Sequence, residues 1–210
     1  MDRPALLRRA LYLSVLSIVI NGVLGGTAVV VGLATDSLSL LGFGLDAAID
    51  SIASVVLVWR FRTEVREPHR AERIERIAET TVGGVLLALA VYLAVSALNA
   101  LASGSHPEAS TVRTVLLLIA VVVLPPLALA KYRTARALGS GALRADSILT
   151  AIAALLGVIG LVSLVLDQLF HVTWADAVGA LVISVVIARE GWSSLQAART
   201  PEPIDANDVS

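Results

Sequence analysis

The chain contains no cysteine, only three histidines, 4% aromatic residues and 16% charged residues. Lack of cysteine excludes disulfides, thiolate metal sites and thiol redox chemistry. The charged fraction falls well below the ~25% of a soluble domain. A net charge of −1 gives no electrostatic footprint for nucleic acid. There is no Ser/His/Asp or Cys/His set within the apolar runs and no glycine-rich phosphate loop, so nothing points to an enzyme. His69, His106 and His171 all fall outside those runs.

What remains is apolar. The 210 residues are 57% hydrophobic with a mean hydropathy of +0.84, and the excess is Ala, Val and Leu. A membrane-spanning helix needs ~20 apolar residues. Six such runs are expected, at about Leu11 to Leu33, Ser37 to Trp59, Thr81 to Ala102, Val112 to Ala130, Ala142 to Leu166 and Trp174 to Trp192. The fold class is an all-α membrane protein of six transmembrane helices. The expected organisation is one membrane domain over 1–198 and a short polar cytoplasmic tail over 199–210. The start, MDRPALLRRA, is basic and runs into helix 1 without an A-x-A cleavage site, as a retained helix does.

Charge sets the orientation. With the N-terminus inside, 15 of the 16 basic residues lie on the cytoplasmic side, and only Arg113 lies outside. The positive-inside rule then places both termini in the cytoplasm. The segment Arg60 to Thr80 is dense in both signs and is expected to be a solvated helical extension, with Glu72 and Arg76 a helical pair. Asp36 is a candidate N-cap for helix 2, and Ser103 to Ser110 is a loop by composition. Pro125-Pro126 should kink or end the regular helix 4, with KYRTARALGSG as the connection to helix 5.

The chemistry concentrates in helix 2. Asp46 and Asp50 are four apart, so about 40° and ~6 Å separate them on one helical face. Asp50 lies ten residues from Arg60, which is ~15 Å along the helix and near the midplane. A central Asp costs about 2.5–3.5 kcal/mol on insertion scales, so such a pair needs a partner, water or a cation. No Lys, Arg or His is expected at that depth in the other spans, which favours a cation or proton site. Asp146 lies nearer the cytoplasmic surface and can pair with Arg144 or another base there. Asp176, opening helix 6, suits a first helical turn. Thr150 is expected to bond back to its own backbone, and Asn21 to act as packing glue.

In order and spacing these pieces resemble the membrane domain of the cation diffusion facilitator family. Asn21 precedes Ser37-Leu38-Ser39-Leu40-Leu41 by the family's spacing. Asp46-Ala47-Ala48-Ile49-Asp50 is similar to its helix 2 motif, His/Asp-x-x-x-Asp, and Trp174-Ala175-Asp176 and Arg189-Glu190-Gly191-Trp192 are similar to the two ends of its helix 6. The resemblance implies a six-helix exchanger of divalent cations for protons. Its second half-site, in helix 5, is not intact here. One register puts the two ligand positions at Leu149 and Ala153; a looser one puts them at Ala142 and Asp146. The implied metal set is therefore Asp46 and Asp50, with Asp146 a turn or two nearer the cytoplasm.

The cytoplasmic metal-binding domain usual after helix 6 is not seen, so a homodimer stays open as an assembly. The implied function is efflux of zinc, manganese or iron(II) by cation/proton antiport in the plasma (inner) membrane. The cation is a substrate and not a cofactor. The rival is a transport-inactive metal-binding or partner-modulating protein on the same fold.

Overall fold

A computed structural model describes residues 3–35, 38–66, 70–104, 111–170 and 174–199. They form six α-helices: α1 (Arg3–Thr35), α2 (Leu38–Arg66), α3 (Ala71–Ser103), α4 (Thr111–Leu138), α5 (Gly141–Phe170) and α6 (Ala175–Arg199). Among the described residues, α1, α3, α4, α5 and α6 are long and apolar enough to cross a membrane. The chain is an integral, multi-pass helical bundle.

The helices exceed the apolar runs because charged and small residues at one end extend them by one to three turns. Large apolar side chains cover the outside, among them Val30, Val122 and Leu169, while Ser14, Ser17, Asn21, Asp50, Ser54 and Thr150 are buried. Lipid offers no hydrophobic drive for helix association, so small residues and interhelical hydrogen bonds must supply it. α1 packs along α2, α4 along α5, and α3 along α6. At the first seam, a Cβ added to Gly25 would lie 2.5 Å from the Ala47 Cβ. At the α3–α6 seam, Gly83 and Gly191 face each other's carbonyl oxygens at 3.0–3.1 Å from where a Cβ would stand.

Two expectations about α4 need correction. The helix does not end at Pro125-Pro126, and it continues through Lys131 to Leu138. Both prolines are exposed, so their rings are accommodated on the outer face. The connection to α5 is only Gly139 and Ser140. Gly139 has φ 67°, and the Ser140 N–H donates to the Ala135 carbonyl at 3.0 Å, a Schellman-type ending. Ser140 then caps α5, its Oγ accepting from the Leu143 N–H at 3.1 Å. Residues 131–138 lack turn chemistry, which only the Gly-Ser pair supplies.

The charged end also departs from expectation. Glu72 and Arg76 do pair on the surface at 3.2 Å. Arg60 and Glu64, by contrast, are buried and not solvated. Arg60 Nη2 binds Glu64 Oε2 at 2.9 Å, its Nε pairs with Glu75, and its guanidinium lies 4.4 Å from the centre of the Phe61 ring. Arg3 reaches Glu64 Oε1 at 2.6 Å. Glu75 Oε1 accepts from Ser140 Oγ and from the Ala142 N–H, both at 2.9 Å. This network fastens α1, α2, α3 and α5 together. Asp36, His69, His106, His171 and the tail after Arg199 lie outside the described residues.

The α1–α2 seam gives a test. Gly25→Val should destabilise the protein by about 1–3 kcal/mol through overpacking. Gly26→Ala, where an added Cβ meets nothing within 4 Å, should leave stability unchanged. Thermal unfolding in detergent, read by circular dichroism, compares the two; equal midpoints would contradict the close seam.

Candidate cation site

α2 presents its polar residues at helical spacing: Asp46, Asp50 and Ser54 follow one another by four. The close α1–α2 seam brings Asn21 to this face. Its Nδ2 donates to Asp50 Oδ2. Asn21 is thus helix glue whose bonding partner is the candidate ligand itself. Asp50 Oδ1 and Asp46 Oδ1 are buried and accept no hydrogen bond among the described residues. Asp46 lies within electrostatic range of Tyr92 on α3.

Asp146 has a different environment. It is fully buried, and its Oδ2 lies 2.6 Å from Lys131 Nζ. Ser54 Oγ donates to its Oδ1 at 3.3 Å. Lys131 Nζ also donates to Thr150 Oγ1 at 3.0 Å, and Thr150 Oγ1 donates to the Asp146 carbonyl at 3.0 Å. Thr150 therefore bonds back to its own helix, as expected, and also holds the lysine. Asp146 pairs with Lys131 and not with Arg144, which reaches toward Glu190 at 3.9 Å.

Lys131 is the other basic residue that Asp146 takes, one turn from Asp50 toward the charged end. It belongs to α4 and is fully buried, and its ammonium acts electrostatically on Asp50 as well. It escapes a hydropathy reading because it stands just past the apolar run. The helical pattern does mark it: Leu124, Leu127, Lys131, Thr134 and Leu138 recur at steps of three and four, and all are buried.

The contacts also set the level of α5 against α2. Ser54 meets Asp146, and one turn away Leu149 shares an apolar cluster with Ala53 and Ile49, which flank Asp50 on α2. Asp146 thus stands one turn from Asp50, toward the charged end. Among the described residues no three His, Asp or Glu side chains are gathered closely enough to hold a metal ion. Asp46 and Asp50 share a helix face, and Asp146 stands one turn away with Lys131 Nζ at 2.6 Å. The side chain of Asp176 lies outside the described residues.

A buried ion pair is fragile when halved. Lys131→Met should cost about 3–5 kcal/mol by leaving Asp146 uncompensated, and Lys131→Met with Asp146→Leu should recover most of that loss. A double-mutant cycle by denaturant unfolding in micelles measures the coupling; additive losses would mean the pair does not interact.

The cation efflux transmembrane domain matches residues 14–199. Transmembrane protein 163 of Xenopus laevis is 27% identical over 150 residues, covering 71% of this chain and 53% of that protein. The chain spans about half the length of this curated relative. A match of that extent settles the family: the chain belongs to the cation efflux family through its transmembrane domain.

Proposed function

We propose that this protein exports a divalent metal cation in exchange for protons, using Asp46 and Asp50 as its intramembrane site. The observation that carries this reading is the pair of buried, unpartnered carboxylate oxygens on one face of α2. Ionisable residues inside a membrane mark ion pathways because leaving them uncompensated is expensive. A divalent cation or protons can each neutralise the pair, so the two ligands compete for the same oxygens. Such competition is the requirement for exchange.

In this reading α2 is the sixth span, both termini face the cytoplasm, and the arginine-rich end is the inner one. Oxygen ligands suit manganese and iron(II), and zinc accepts carboxylates as well. Two protein carboxylates do not complete a coordination sphere, so water or backbone oxygens fill the rest. Asp146 contributes charge from one turn away while Lys131 holds it.

A second reading has one specific observation behind it. Leu149 lies in the apolar cluster beside Asp50, and Asp146 is committed to Lys131. A site without a helix 5 half could bind cations but not carry them, leaving a metal-binding protein that modulates a partner.

Flux separates the two. Purified protein in vesicles with a pH gradient should move protons when zinc, manganese, iron(II) or cadmium is added. Asp50→Asn should lower that flux at least about tenfold, the loss expected when a charged ligand is neutralised. Asp50-dependent cation binding without flux from any ion would overturn transport and leave the binding protein.

A further inference from the structure

Lys131 is the single lysine of the chain, and the other basic residues are arginines. The lysine is fully buried and stands level with Asp146, one turn from Asp50 toward the charged end. Its ammonium is 2.6 Å from Asp146 and acts electrostatically on Asp50. Lysine carries a compact point charge with three donors on a flexible stem, and arginine a rigid planar fork. A compact charge can be shared between two carboxylates on different helices.

Lys131 pairs with Asp146 on α5, and that pair stands one turn from Asp50 on α2. A pure packing role does not account for this placement, because an apolar pair of similar volume would serve packing as well or better.

The geometry points to Lys131 as a tethered counter-cation of the transport site, which holds Asp146 out of the coordination sphere and competes with the incoming divalent cation for Asp50. The inference rests on the proposed role of Asp50. An incoming cation meets repulsion from the ammonium, and its arrival drives the ammonium fully onto Asp146 and Thr150. The lysine therefore weakens cation binding and favours release.

The single lysine makes the test direct. Protein labelled with ¹⁵N at lysine Nζ gives one side-chain ammonium signal. Zinc or cadmium chloride added to the wild-type protein in micelles should shift that signal, with the same midpoint as cation binding measured by calorimetry. The shift should be absent in Asp50→Asn. Lys131→Gln should bind these cations about tenfold more tightly or better, and Lys131→Arg within roughly threefold of wild type, because only the first removes the repelling charge.

Binding lost in Asp50→Asn, with the Nζ signal unmoved in the wild type, would overturn the tethered-cation role alone. Unchanged or weaker binding by Lys131→Gln would do the same. Cation binding indifferent to Asp50→Asn would remove the proposed site, and this inference with it. The labelled wild-type experiment decides the matter even where a lysine variant does not fold.

Discussion

Charge placed among apolar helices has to be compensated where it stands, and in this bundle that requirement falls on Asp50 and Asp146. Water cannot reach fully buried groups cheaply, and an unpaired ion in such surroundings shifts its protonation or recruits a partner. The two aspartates meet the requirement differently. Asp146 has an ammonium at 2.6 Å and a serine hydroxyl at 3.3 Å. Asp50 has a neutral amide from Asn21 and a free oxygen. One carboxylate is committed to its neighbours, and the other retains capacity for something more. That difference, more than the number of acids, separates candidate ligand from structural ion.

Packing makes this possible. Gly25 and Gly44 let α1 and α2 approach until Asn21 reaches Asp50, because an added Cβ at either glycine would collide with the facing helix. The α4–α5 seam is aligned by the two-residue turn at Gly139-Ser140, which sets Lys131 level with Asp146. Glu75 then anchors the start of α5 by accepting from Ser140 and Ala142. Small residues at the seams thus control the electrostatics of the centre, since a shift of one helical turn, ~5.4 Å, would part each pair.

The acidic face of α2 was legible in the sequence because two aspartates four apart in an apolar run cost too much to be there without a polar task. Thr150 bonding its own backbone and the Glu72–Arg76 pair were legible because both are local in sequence. Lys131 was not, because hydropathy ends a span at the first charge, whereas the helix ends only where Gly139 adopts positive φ. The burial of Arg60 and Glu64 was hidden in a similar way. It depends on Arg3 and Glu75, which come from other helices and leave no local pattern. Pro125-Pro126 do not end α4, because a proline removes one backbone donor without forbidding the turns that follow it.

The polar contacts also share a single carrier. Asp46, Asp50, Ser54, Arg60 and Glu64 all belong to α2, while their partners lie on α1, α3, α4 and α5. Between Asp50 and the charged end lie first the Ser54–Asp146–Lys131 layer and then the Arg60–Glu64–Glu75 layer. Both layers close against α5, through Asp146 in one and through Ser140 and Ala142 in the other. A displacement of α2 relative to α5 therefore disturbs both layers at once. The closure of both layers thus depends on the position of one helix, and that same helix carries Asp46 and Asp50.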